Sequence, residues 1–337
     1  MTCDARRRRP TWLRVATVAA CCIAFVLTVG VRGAHAASGD DYPSRAVNIV
    51  VPYAPGGAGD LTTRVFAQKL TQLVGQPVIV LNRPGAGFAN SATMVAHARP
   101  DGYTIFLGGN GAAISSVLFR SLPYRMSDFT QVSTVAFFSL ALVVDGHAPY
   151  RNVADLIADA KAHPGKLNIG TVSTGSTQNL VAELFRSKAG VDLQVVPFES
   201  SGEVMAALRG NSVQVVLEVI PSVLGQISSG AVRALAVTSA SRFAGLPQVP
   251  TLAESGLAGF DATSWSGLSV PAKTDAAIVN RLAAQTATAL ADPDVKRKMQ
   301  MLGADARAST PAQMSRLVDA DTAKWQRVIE QAGIPRR

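Results

Sequence analysis

Apolar positions along the chain follow two alternating patterns. Short unbroken runs rich in Val and Ile, at 46–51, 78–82 and 104–108, read as buried strands. A strand covered on both faces has no need of polar–apolar alternation. Between the first two runs, Phe66, Leu70, Leu73 and Val74 share one helical face within 60–74, and Gly75 and Pro77 end that helix. The alternation then resumes with helices over 152–162, 178–188 and 203–209 and strands over 167–172, 193–196, 213–218 and 232–238. The run 131–145 is placed to bridge two domains, and 264–270 to carry the chain back; only helices are expected afterwards, at 276–291, 293–302 and 311–332. Such strand–helix–strand repetition predicts an α/β fold with right-handed crossovers. It implies two lobes, each a mainly parallel sheet flanked by helices, with a cleft between them. The expected division puts 40–142 and 262–337 in lobe 1 and 143–261 in lobe 2.

The first 36 residues break the pattern and distort the charge. Arg6 to Arg9 and Arg14 precede an apolar run from Val15 to Val31, and Ala34-His35-Ala36 follows. A basic stretch, an apolar stretch and a small-x-small site together describe a secretory signal cleaved after Ala36, which predicts an exported protein. The apolar run falls short of the roughly 20 residues a membrane span needs. A lipoprotein box ending at Cys21 and a twin-arginine pair at Arg8-Arg9 both fit their surroundings poorly. The whole chain has 32 Lys+Arg against 23 Asp+Glu; without the signal the balance is 26 against 22, or +4. That charge is too small and too scattered for a nucleic-acid partner. All three cysteines (Cys3, Cys21 and Cys22) leave with the signal, so the mature chain must hold itself together by its core. The remaining histidines, His97, His147 and His163, lack metal-ligand spacing, and neither metal nor cofactor is expected.

Candidate chemistry lies in the loops that follow strands. Pro52-Tyr53-Ala54-Pro55-Gly56-Gly57-Ala58-Gly59-Asp60 joins a strand to a helix. Its glycines let backbone approach a guest, and the helix start offers unpaired N–H groups and a positive dipole end. The loop is suited to a carboxylate or a phosphate, with Asp60 capping the helix or touching the ligand. Ser173-Thr174-Gly175-Ser176-Thr177 occupies the equivalent place in the second half, and Gly108-Gly109-Asn110-Gly111 ends a third strand. In open parallel sheets, ligands bind at the carboxyl ends of strands, where all three loops fall. No nucleophile elbow, Walker loop, zinc-protease motif or complete dinucleotide fingerprint is present, and an enzyme is not expected.

Several segments resemble, in order and over nearly the whole mature chain, the Bug-type extracytoplasmic solute receptors of tripartite tricarboxylate transporters. They are PYAPGGAGD at 52–60 with Arg64 downstream, GQPVIVLNRPGAG at 75–87, RPDGYTIFLG at 99–108, AVTSASRFAGLPQVPTLAESGLAGF at 236–260, and Trp265-Ser266-Gly267. The resemblance implies a two-lobe type II periplasmic-binding-protein fold that closes on a small organic carboxylate and delivers it to membrane permease subunits, as a monomer. It implies a first ligand loop of Tyr53, Pro55, Gly56, Gly57 and Asp60, and a second of Thr174, Gly175, Ser176 and Thr177. Gly109 and Asn110 join the expected site from the third loop.

Three positions depart from the family pattern: Asn179 stands where His is usual, Phe198-Glu199-Ser200 replaces a Tyr-Lys-Gly-like segment, and Glu218 replaces Asp. A negative Glu218 and a missing Lys disfavour a second carboxylate at the far end of the ligand. The expected guest is a monocarboxylate, or an acid whose far end is apolar or amine-bearing. A ligand-presenting sensor for a membrane kinase and a secreted hydrolase or isomerase are the competing readings.

Overall fold

The protein is described from a computed structural model, which describes residues 42–331 and 333–337. The segment expected to act as a signal, with its expected cleavage after Ala36, and all three cysteines lie outside the described residues. Chain order begins β1 (Val47–Val51), α1 (Ala58–Val74), β2 (Val78–Asn82), α2 (Ala89–Ala96), β3 (Thr104–Gly109) and α3 (Asn110–Leu118). It continues with β4 (Phe129–Asp145), α4 (Val153–Ala162), β5 (Leu167–Val172), α5 (Thr177–Ala189), β6 (Leu193–Phe198), α6 (Ser201–Arg209), β7 (Val215–Val219), α7 (Ile220–Ser228) and β8 (Val232–Val237). Last come β9 (Thr263–Pro271), α8 (Ala276–Ala291), α9 (Pro293–Met301), β10 (Ala304–Ala306) and α10 (Pro311–Gln331).

The strands run in the order β2-β1-β3-β9-β4-β7-β5-β6, with β8 and β10 also pairing to β4. Each lobe has a parallel trio, β2-β1-β3 in one and β6-β5-β7 in the other. Antiparallel pairing enters with the crossing strands. β4 is 17 residues long and buried over most of its length, its apolar Val, Ala, Leu and Phe joined by the buried Gln131, Ser133 and Thr134. Its first part pairs with β9 as far as Ser139↔Thr263, and from Leu140↔Val219 onward it pairs with β7. One strand therefore serves both lobes.

Helix ends follow local chemistry. Gly75 and Gly190 adopt left-handed backbone (φ 67° and 61°) to end α1 and α5, while Asn152, Asp275 and Asp292 cap α4, α8 and α9 with side-chain oxygens. The lobe holding β5 to β8 is built around Val143, Val204, Leu208, Val216 and Ile220. Its counterpart is built around Val50, Ala92, Val95, Phe106 and Phe129. α10 packs Met314 and Val318 against Trp265 of β9.

Three helices depart from the sequence expectation. α2 and α3 are rich in Ala, Ser, Asn and Gly and so have no contrasting apolar face, and α7 opens on Ile220-Pro221 directly from β7. The segment after β9 also holds the short strand β10 rather than helices alone, because Ala304–Ala306 pairs with the edge of β4. Among the described residues, no helix is long and apolar enough to cross a membrane.

A candidate ligand cleft between the lobes

A cleft of about 1260 Å³ opens where the C-terminal ends of β1, β5 and β7 meet. Its first wall is the loop after β1. Gly56 has φ 85°, a conformation costly to any residue with a Cβ. A buried carboxylate holds this loop from behind. Asp60 Oδ2 accepts from the Gly56 N–H at 2.9 Å and from Arg64 Nε at 3.0 Å, and Oδ1 accepts from Asn82 Nδ2 at 2.9 Å. The same Asn82 amide donates to the Tyr53 carbonyl at 3.0 Å. Burial works to raise the Asp60 carboxyl, but Arg64, the Gly56 N–H and Asn82 outweigh it and hold it below the usual carboxylate range. Asp60 is thus part of the scaffold under the loop and does not line the cleft.

What the loop presents is backbone. α1 begins at Gly57 with no side-chain cap, and no described residue accepts from the N–H groups of Ala58 and Gly59, both of which line the cleft. The positive end of a 17-residue helix faces open space there. Tyr53 stacks edge-on against Phe88 (ring centres 5.4 Å apart) and lies over Gly59, where a Cβ would come within 2.5 Å of the ring. Gly59 is therefore needed to seat Tyr53.

The second loop is built differently. Ser176 caps α5, accepting from the Asn179 N–H at 3.1 Å and donating to the Val172 carbonyl at 2.7 Å. Asn179 receives the Gly175 N–H at 3.4 Å and donates to Thr171 Oγ1 at 3.3 Å. Thr174 and Ser176 line the cleft, while Gly175, Thr177 and Asn179 lie behind it. The two helix starts are not equivalent, since the second is capped by its own serine.

The third loop serves the protein itself. Asn110 donates to the Thr263 carbonyl at 3.0 Å and accepts from the Trp265 N–H at 3.3 Å, binding α3 to β9. Gly109, with φ 138°, packs where a Cβ would lie 2.2 Å from the Trp265 carbonyl oxygen. Neither residue reaches the cleft wall.

Phe198 and Glu218 line the far side. Glu218 is fully buried, and its carboxyl group accepts from Gln178 Nε2 at 2.8 Å, the Val219 N–H at 2.7 Å and Ser201 Oγ at 2.9 Å. Burial prevails over these donors and pushes its carboxyl above the ordinary value. Burial, and then the charge of Glu218, hold the Tyr53 hydroxyl protonated well above its usual range. Arg337 is the single Lys, Arg or His among the described residues lining the cleft, and its backbone is fixed to Leu118 and Arg120.

Sequence reasoning missed Phe119 and Ser121–Pro123 of this wall, and also the stretch of Pro84, Gly85 and Gly87–Asn90. There α2 starts at Phe88, a non-glycine residue at φ 74°, again without a side-chain cap. The signal was available in Pro84-Gly85-Ala86-Gly87, which offered loop glycines directly ahead of a helix. Gln178, Ser201 and Ser222 were missed as well, being ordinary helix residues until the fold turns them toward Glu218.

A family model described as "Tripartite tricarboxylate transporter family receptor" matches residues 62–334. The chain belongs to that receptor family. BugT of Bordetella pertussis is 34% identical over 312 residues, covering 92% of this chain and 95% of the relative. Among solved structures, R. palustris Rpa4515 with adipate superposes with a TM-score of 0.84 at 33% identity, covering 88% of this chain and 99% of that one. The periplasmic binding protein BugD superposes with a TM-score of 0.82 at 30% identity, covering 88% of this chain and all (100%) of that one. Tripartite tricarboxylate transporter receptors are solute-binding proteins with a two-lobe α/β fold, and the cleft described here lies between those lobes. This is a family of receptors, not one defined by catalysis.

Proposed function

We propose that the protein is an exported solute receptor. Its lobes, 40–142 with 262–337 against 143–261, close on a small organic carboxylate and deliver it to the permease subunits of a tripartite transporter. Export proceeds through a signal cleaved after Ala36, and the receptor works in the periplasm as a monomer. The observation that carries the reading is the uncapped start of α1, whose free N–H groups open into the cleft. A carboxylate there satisfies buried donors and meets a helix dipole without requiring a basic side chain. Rpa4515, whose structure contains adipate, supports the ligand class.

In this reading Tyr53, Pro55, Gly56 and Gly57 border the carboxylate, with Thr174, Ser176, Phe198 and Glu218 opposite. Asp60, Gly109, Asn110, Gly175, Thr177 and Asn179 keep the loops in place. The test is a thermal-shift screen of organic acids followed by calorimetry. At a ligand concentration 100 times Kd, stabilisation should reach about 2.7 kcal/mol. A screen in which no carboxylate raises the melting temperature would reject the reading.

A further inference from the structure

Glu218 is the most unusual group in the cleft. It sits at the end of β7, paired with Ala141 of β4, and is 0% exposed. Its three hydrogen-bond donors, Gln178, Ser201 and the Val219 N–H, are all neutral. No Lys, Arg or His of the described residues forms an ion pair with it. Removing a carboxylate from water without a cation is costly, and neutral donors return only part of that cost. A carboxylate accepts about four hydrogen bonds, so with three supplied by the protein one direction remains. Ser201, whose hydroxyl also reaches Ser222 at 3.3 Å, lines the cleft together with Glu218.

The cleft is therefore polarised. Free helix N–H groups stand on one side, and a buried carboxylate without a counter-cation stands on the other, with Glu199 as a second acid on the same wall. Tyr53 of the first loop and Glu218 of the second lobe line this one cleft, so a single guest can meet both ends. We propose that Glu218 is the specificity-determining residue of this receptor and receives a protonated amine of the guest, which makes the ligand an amino-bearing organic acid. The inference rests on the carboxylate reading above and adds the second group. A dibasic acid would place a negative charge beside Glu218, and only a proton shared between them would allow it.

Calorimetry on the mature protein should compare matched pairs: alanine with propanoate, aspartate with succinate, 4-aminobutanoate with butanoate, and 6-aminohexanoate with hexanoate. At least one amino acid should bind more tightly than its partner by about tenfold or more, which is a difference of about 1.4 kcal/mol. Glu218→Gln, which keeps the shape and removes the charge, should erase that preference while melting without ligand at the same temperature or higher. Glu218→Asp keeps the charge and should preserve the order within the pair. Binding of the amine-free acids alone, or a preference that survives Glu218→Gln, would overturn the inference and leave the receptor reading intact. If no acid of either kind binds, both fall.

Discussion

Two buried carboxylates, Glu218 in the cleft wall and Asp60 behind the first loop, have surroundings that push them in opposite directions. Asp60 has Arg64 wrapped around it, whereas Glu218 has only neutral donors. The folded state therefore holds Asp60 ionised, so its contribution is present above the unfolded value of 3.8 and lost as pH falls below it. Glu218 runs the other way. Its folded value is raised above the ordinary 4.5, so its contribution is complete below that pH and is lost as pH rises through the folded value. Unliganded protein should lose stability over that rise, and Glu218→Gln should remove this part of the dependence; denaturant titrations at a series of pH values read both. Asp60→Ala leaves the Gly56 N–H without its acceptor behind the first loop and removes one of the two acceptors of the Asn82 amide, the Tyr53 carbonyl remaining. Each lost buried partner costs about 1–3 kcal/mol. The variant should unfold at lower urea and bind ligand more weakly, because the loop loses the bonds that shape it.

At the scale of elements, the start of α1 exchanges stability for binding. Gly57 has φ −75° and ψ 165°, which any residue can adopt, and a Cβ there would meet only the Ala54 carbonyl at 3.6 Å. Gly57→Asp should therefore cap the helix and raise the melting temperature of the free protein, a gain of a few tenths of a kcal/mol over Gly. The same carboxylate would occupy the N–H groups and repel an anion, so affinity for any carboxylate ligand should fall by tenfold or more. A variant that gains stability and keeps its affinity would show that the anion sits elsewhere. Gly109→Ala should do the reverse, since its Cβ would collide with the Trp265 carbonyl. Strain of that kind costs about 1–3 kcal/mol, and the melting temperature should drop before binding is affected. These elements also show where sequence is legible. The continuous apolar runs of β1, β2 and β3 and the apolar stripe of α1 identify themselves, and the glycines of the first loop announce a backbone site. α2 and α3 do not, because Ala, Ser and Asn are compatible with loop, helix or buried contact, and only packing against β3 and β9 decides. Likewise, no local pattern brings Gln178, Ser201 and Glu218 together, since they come from three separate elements.

At the scale of the whole molecule, any movement of one lobe against the other must pass through the crossing strands. β4 and β9 carry the chain between the lobes, and their mutual pairing ends at Ser139↔Thr263. Just beyond that point Thr238 joins both, its N–H donating to the Leu140 carbonyl at 3.0 Å and its hydroxyl to the Ala262 carbonyl at 2.6 Å. A bonded two-strand crossing permits bending about one axis and resists twisting or separation, which is the geometry of hinge closure. Closure on a guest should shorten the distance between the cleft walls. All three cysteines, Cys3, Cys21 and Cys22, precede Ala36, so in protein produced from Ala37 onward a dye pair can be attached specifically at Met94→Cys and Glu199→Cys, which line opposite walls. Ligand at saturation should raise energy transfer between the dyes, and the added Gly57→Asp change should abolish the response at the same concentration. Transfer that stays constant while calorimetry reports binding would mean that the guest is held by one wall alone, and the hinge would then have no part in capture.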